Sequence, residues 1–445
     1  MNLSLNQLRQ LISESQTIHS KQEVDRPDLL NWLIKGTEND LIKVLTGFRR
    51  TGKSYLLKQF VRHLVDQRIA PSDNIFFVNF EHDLVASLSD VGHLRTLYEK
   101  YQAQIYQKGK IYLILDEIQN VNKWEKFVRT IYETNKENCQ IYITGSNSSL
   151  LSSEFSTALS GRTIEQKVYP YSFNEYLLAH KIILQGQFNY VNNKTKIDQL
   201  VNRYLIYGGL PETVNLDVNL IPECIQGVFR KILLDDIVKR FTVQNIDLLE
   251  TYFRFIASNV GGITSQSSIK SAIEHQGQTI SLPTLANYLR MYGSAFAVDK
   301  VDKFEWKLKR IFNRQAKLYL VDNGLITTLN QLKLDVTSGL LENAVYQYLS
   351  RKYDQIYFGR DDKGKEIDFL VKTSSYNYLK VQVSLELNQN SKLRELNNFV
   401  LADKYLSSGD NYLVVHTGET EIITYRKIKI QIINIRDLLT EQVKI

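Results

Sequence analysis

Residues 41–54 read Leu-Ile-Lys-Val-Leu-Thr-Gly-Phe-Arg-Arg-Thr-Gly-Lys-Ser. A strand-length apolar run, 41–46, leads into G-x4-G-K-S. Beyond it Leu56, Leu57, Phe60, Val61, Leu64 and Val65 recur at the spacing of one helical face. Strand, glycine loop and helix N-terminus, in that order, are the context in which this motif cradles phosphate. Gly47 and Gly52 let the loop wrap an anion without Cβ clashes, and the bare N–H groups at the helix start attract it. Lys53 neutralises the β- and γ-phosphates, and the Ser54 hydroxyl ligates magnesium. The nucleotide-binding set expected from this stretch is Gly47, Arg50, Thr51, Gly52, Lys53, Ser54 and Tyr55.

A second motif downstream makes a chance glycine-lysine turn a poor account of the first. Residues 111–117, Ile-Tyr-Leu-Ile-Leu-Asp-Glu, are a buried strand ending in two carboxylates. Asp116 is expected to hold the metal and Glu117 to orient and deprotonate the attacking water. A third run, 141–147, ends in Thr-Gly-Ser-Asn. There Asn147, or Ser146, either touches the water or the γ-phosphate, or caps a helix begun by Ser-Ser-Leu-Leu. Together with the apolar runs at 74–80 and 163–169, these segments alternate with helical patterns. The expectation for 41–177 is an α/β core of the P-loop NTPase type: a parallel sheet with helices on both faces.

The bulk composition agrees with a globular protein. The chain has 445 residues, 43% hydrophobic and 23% charged, and a formal net charge of +7. That balance leans mildly toward a polyanionic partner. Cys139 and Cys224 stand alone with no Cys/His cluster, which argues against zinc and for a reducing compartment. The N-terminus is polar, and no stretch approaches 18 consecutive apolar residues, so neither a signal core nor a membrane span is expected and the reading is cytoplasmic. Residues 1–40 read as a helical segment, and 178–260 as mostly helical. In 261–330, Ile269 and Ile273 mark one short helix and Ser281 caps a second. A charged hairpin then carries Lys300, Lys303, Lys307, Lys309, Arg310 and Arg314 around Phe304 and Trp306. Residues 281–314 are therefore the candidate DNA contact, with a solvated or protein-packing face as the alternative.

The ordered set of motifs resembles a prokaryotic AAA+ ATPase family whose C-terminal half is a domain of unknown function. It comprises GFRRTGKS (47–54), VNFE (78–81), LILDEIQNV (113–121), ITGSNSSLL (143–151), LSGR (159–162) and Tyr-Pro-Tyr-Ser-Phe-Asn-Glu-Tyr (169–176). Further on come YGGLPE (207–212), DDIVKR (235–240), KLYLVDNGL (317–325), LLEN (340–343) and EIDFLV (366–371). The resemblance spans roughly residues 30–440. It implies an AAA+ core, a helical and winged-helix middle over 261–330, and a nuclease-like α/β fold over 335–445. It also implies ATP-dependent homo-oligomers in which Arg162, otherwise a surface salt-bridge residue, reaches a neighbour's γ-phosphate. By the same analogy Asn79 or Glu81 couples nucleotide state to ligand.

In the C-terminal part, Glu342 on a helix, Asp368 on a strand and Gln382 and Ser384 on the next strand resemble the PD-(D/E)xK nuclease arrangement. An active version needs a carboxylate and a lysine where Gln382 and Ser384 stand. Lys380 and Glu386 are nearby in sequence, but nothing supports either as a substitute, so the fold is expected without robust cleavage activity, with Glu342, Glu366 and Asp368 left as a binding surface. The sequence thus reads as a magnesium-dependent ATPase coupled to a ligand, DNA first. The alternatives are a nucleotide-gated protein scaffold and an ATP-dependent nuclease. ATP is preferred over GTP because no Asn/Thr-Lys-x-Asp motif is present.

Overall fold

The computed structural model describes residues 3–445 apart from 18–23, 86–87, 89, 148–158, 185, 276, 307–314, 331–334, 375–376 and 407. Lys307, Lys309, Arg310, Arg314 and the Ser-Ser-Leu-Leu segment therefore lie outside the described residues. Contacts divide the chain into two units, Met1–Tyr169 with Ser294–Phe296, and Pro170–Gly293 with Ala297–Ile445.

In the first unit the expected runs become the strands of one parallel sheet, four of them buried and the fifth, 163–167, only partly so. They are β1 (Ile42–Thr46), β2 (Ile75–Asn79), β3 (Ile111–Asp116), β4 (Cys139–Gly145) and β5 (Thr163–Lys167), in the order β2-β3-β4-β1-β5, all parallel. Alternation along each strand sorts the side chains between two cores. Phe76, Val78, Leu113, Leu115, Ile141 and Ile143 pack on one face with helices α1 (Leu5–Gln16), α4 (Val91–Gln104) and α5 (Trp124–Asn135). Ile75, Phe77, Tyr112, Ile114 and Tyr142 pack on the other with α2 (Pro27–Gly36) and α3 (Lys53–Asp66). The expected α/β sheet with helices on both faces is what the chain forms.

In the second unit the described strands form one mixed sheet in the order β13-β14-β12-β11-β10-β9-β7-β8-β6. They are β6 (Ile263–Thr264), β7 (Val298–Lys303), β8 (Ala316–Leu320), β9 (Ile356–Arg360), β10 (Glu366–Ser374), β11 (Asn377–Ser384), β12 (Asn411–Val415), β13 (Glu421–Tyr425) and β14 (Ile428–Asn434). The middle segment runs helix Ile246–Ser258, β6, helix Gln266–His275, helix Leu282–Ser294, then the antiparallel pair β7–β8, with β6 on β8. Ile269 and Ile273 are buried on one helical face, and the Ser281 hydroxyl caps the next helix by accepting from Thr284 N (3.2 Å). β7 also pairs parallel with β9 through Asp302–Tyr357 and Lys303–Phe358, which joins the middle segment to the C-terminal strands in a single sheet. No helix among the described residues is long and apolar enough to cross a membrane.

Two of the sequence motifs meet at a buried polar knot. Asp322, in KLYLVDNGL, accepts from Gly209 N (2.7 Å) in YGGLPE and from Gly324 N (2.9 Å). Burial pushes its carboxyl up to about 7, against those N–H groups, which pull it down. Asn323 donates to Leu205 O (2.7 Å) and Leu340 O (2.9 Å), and Asn343 donates to Asn323 Oδ1 (2.8 Å). Gly208 is fixed by this knot, since its φ is +76° and a Cβ there would lie 1.9 Å from Asp322 Oδ1. Gly208→Ala combines a left-handed backbone with overpacking, so it should destabilise the protein by about 2–4 kcal/mol. A lowered denaturation midpoint checks this.

Candidate functional site

The glycine loop hangs from the C-terminal end of β1. Gly47 leaves no room for a side chain, because a Cβ would fall 2.2 Å from Val168 O. Arg50 follows with a left-handed backbone (φ 64°), and Gly52 caps α3. Thr51 is buried and its hydroxyl donates to Phe48 O (2.9 Å). Arg26, at the start of α2, braces the loop from behind. Its buried guanidinium donates to Thr51 O (2.8 Å) and Tyr169 O (3.0 Å). Lys53 Nζ turns back into the loop and donates to Gly47 O (3.0 Å) and Phe48 O (3.1 Å), 3.6 Å from Glu117. Ser54 is half-buried in the first turn of α3, and Tyr55 beside it is exposed.

Both carboxylates come from the C-terminal end of β3, which β4 separates from β1. Asp116, the last residue of β3, is fully buried. Burial and the adjacent Glu117 push its carboxyl up to about 6, and the Ser54 and Thr144 hydroxyls and Lys53 pull it back. Thr144, on β4, donates to Asp116 Oδ1 (2.5 Å) and accepts from Glu117 N (3.0 Å). Asp116 Oδ2 is buried with no hydrogen-bond partner. An orphaned carboxylate oxygen beside a serine hydroxyl suits a hard oxygen-seeking cation, so Ser54 and Asp116 fit magnesium. Glu117 leaves the strand with a left-handed backbone (φ 55°). Burial raises its carboxyl, but Lys53, Gln119, Arg49 and Ser146 more than offset this and hold it low. Gln119 Nε2 (2.5 Å) and Ser146 N (3.2 Å) both donate to Glu117 Oε2.

Residues 39–177 match the model of an AAA domain. Residues 198–336 match a domain of unknown function (DUF8612), and 337–438 another (DUF4143). An uncharacterized protein of Haemophilus influenzae is 34% identical over 408 residues, 91% of this chain and 98% of its own. The chain belongs to that protein's family. An uncharacterized protein of Methanocaldococcus jannaschii is 28% identical over 389 residues, 85% of this chain and 82% of its own. Among solved structures, the chain is similar to a Walker-type ATPase of Pyrococcus abyssi at a TM-score of 0.42 and 17% identity, over 71% of this chain and 99% of that one. It is also similar to the ORC1 protein of Aeropyrum pernix, solved in complex with DNA, at 0.33 and 13%, over 69% and 93%.

Within this AAA-domain protein the remaining expected residues fall in different places. Asn147 is buried just past the end of β4, next to Ser146. Asn79 Oδ1 accepts from Glu81 N (2.8 Å), and Glu81 pairs with Arg49 of the glycine loop (2.6 Å). Arg162 lies at the opposite end of the strands from the loop, just before β5, which pairs with β1. Ile42 N donates to Arg162 O at the start of β1, and the strand between them and Gly47 is about 16 Å long. Its guanidinium pairs with Glu133 (2.9 Å) and covers Tyr132 (5.5 Å).

Sequence reasoning missed Thr144, Gln119, Arg26 and, in the second unit, Lys317. Gln119 had a signal, two residues past Glu117, while Thr144 comes beside Asp116 only through the parallel register of β3 and β4. Arg26 had none. Positions 382 and 384 are Gln and Ser as read, and the lysine that does stand among Glu342, Glu366 and Asp368 is Lys317. It enters from β8 and reaches all three, while Lys380 turns away to Ser408 O (3.2 Å) and Asp403 (3.7 Å), and Glu386 is exposed. Gln382 Oε1 accepts from Asp368 N (3.2 Å).

Lys53→Ala should weaken binding of a fluorescent ATP analogue by about 100-fold or more, since it removes two or three charge-assisted hydrogen bonds to phosphate. Equilibrium titration of both proteins reads this directly.

Proposed function

We propose that this protein binds ATP with magnesium, hydrolyses it, and uses its nucleotide state to govern a ligand of its C-terminal half, DNA first. The observation that carries the reading is the convergence of Lys53, Ser54, Asp116 and Glu117 at one edge of the sheet, with Asp116 Oδ2 unsatisfied. In the nucleotide complex Lys53 exchanges the Gly47 and Phe48 carbonyls for phosphate oxygens. Ser54 and Asp116 hold magnesium, which when bound neutralises phosphate charge. Glu117 takes the proton of the attacking water, and Asn147 orients that water or the γ-phosphate. Gln119 holds Glu117 until nucleotide arrives. The Arg49–Glu81 pair links the glycine loop to the end of β2, which gives nucleotide binding a route to the surface.

Arg162 acts, on this reading, only on a neighbouring copy in an oligomer, because it lies at the far end of the strands from its own glycine loop. The order helix, short strand, two helices and hairpin supports a winged helix over 261–330, with the Leu282–Ser294 helix presented to DNA. The arrangement of Glu342, Asp368 and Gln382 supports a nuclease-like fold over 335–445 that binds without cutting.

Steady-state hydrolysis tests the whole. The wild type should turn over ATP and be stimulated by double- or single-stranded DNA, with Lys53→Ala inactive. Glu117→Gln should keep nucleotide and lose about 100-fold or more in rate. Hydrolysis indifferent to DNA favours the protein-scaffold reading instead, and failure to bind ATP overturns the proposal.

A further inference from the structure

A cavity of about 670 Å³ opens in the middle segment, between helix Gln266–His275, helix Leu282–Ser294 and the β6–β8–β7 strands. Helix Leu282–Ser294 carries two apolar faces. Leu285, Tyr288 and Tyr292 are buried in the core. Leu282, Ala286 and Leu289, at i, i+4 and i+7, form a second stripe that stays half-buried and lines the cavity. Across it, Ala316 and Leu318, two apart on β8, present one face of the strand. Volume and lining are those of a small-molecule pocket.

Two polar groups mark this otherwise apolar space. Tyr252 lines the cavity and no other residue of helix Ile246–Ser258 does, so it reaches in with the outer end of its ring. Its side chain is fully buried, and its hydroxyl has no hydrogen-bond partner among the described residues. A buried hydroxyl left unpaired is costly, and an oxygen on a ligand relieves that cost. The second group is Lys300, opposite Leu318 in the β7–β8 register and 50% exposed, which puts it at the mouth. Among the described residues it is the one charged member of the lining, and no carboxylate joins it there. Its partner Asp302 (2.6 Å) is 59% exposed, so the pair is weak and open to exchange.

We propose that this cavity binds a small apolar carboxylic acid with a hydroxyl at its far end, such as an aromatic hydroxy acid. Its apolar body lies between the Leu282–Leu289 stripe and Leu318, its hydroxyl pairs with Tyr252, and its carboxylate takes Lys300 from Asp302. A sugar or a phosphate would leave polar groups unmet against the apolar walls, and an amine would face a lysine with no acid beside it in the lining. The site is independent of the nucleotide and DNA readings, since all its residues lie in the second unit and neither ligand takes part.

The test is a fluorescence titration of the full chain, without nucleotide or DNA, with three probes: hydroxynaphthoate, naphthoate, which lacks the hydroxyl, and naphthol, which lacks the carboxylate. Wild type, Tyr252→Phe, Lys300→Ala and Ala286→Trp are compared, and thermal melting checks that each folds. Wild type should bind hydroxynaphthoate saturably. Tyr252→Phe should weaken hydroxynaphthoate by about 5-fold or more and leave naphthoate unchanged, because only the first loses a hydrogen bond. Lys300→Ala should weaken both acids and spare naphthol, and Ala286→Trp, which fills the cavity, should abolish binding of all three. No saturable binding by wild type overturns the proposal, and so does full binding by a folded Ala286→Trp. Equal weakening of hydroxynaphthoate and naphthoate in Tyr252→Phe also overturns it, since that is the mark of a merely structural hydroxyl. That comparison keeps the ring in place, and it decides the matter even where Ala286→Trp does not fold.

Discussion

A carboxylate buried at the end of a parallel strand is costly unless something answers it, and Asp116 organises the first unit around that demand. One oxygen is answered by Thr144, which in turn holds Glu117 N and so sets the left-handed exit of the chain from β3. The other oxygen is buried without a hydrogen-bond partner. The glycine loop, Ser54 and Lys53 gather at the same edge because parallel strands bring all their C-terminal ends to one side.

The legible parts of this architecture are those written in local sequence. The strands could be read because each is a short apolar run bounded by polar residues, and the loop because glycines, lysine and serine sit between a strand and an amphipathic helix. Contacts between distant segments were less accessible. Thr144 is an ordinary strand residue until β3 and β4 are placed in register, with Leu115 beside Ile143. Arg26 meets Tyr169 across 143 positions, and no spacing rule anticipates that. Lys317 looks like a polar residue in a short strand. Its hydrogen-bond partners Glu342 and Asp368 are 25 and 51 positions away, so only the assembled fold brings them together.

The two units deal with buried charge in related ways. In the first, Lys53 bonds carbonyls of its own loop, so ligand binding there is an exchange of partners rather than the filling of a void. In the second, Lys317 and Asp322 are satisfied within the fold, by carboxylates and by glycine N–H groups respectively. Interactions of this kind add little net stability over an apolar core, but they penalise every packing that leaves the charge unmet.

The pairing of β7 with β9 has a bearing on how the chain can be divided. A break near residue 335 falls between helices and looks like a domain border, yet a fragment starting there would carry β9 stripped of its neighbour, with a row of bare N–H and C=O groups. Such an edge recruits strands from other copies. The C-terminal strands thus take one neighbour from a hairpin encoded some fifty residues before β9, and a fragment begun after that hairpin must cover the edge by other means.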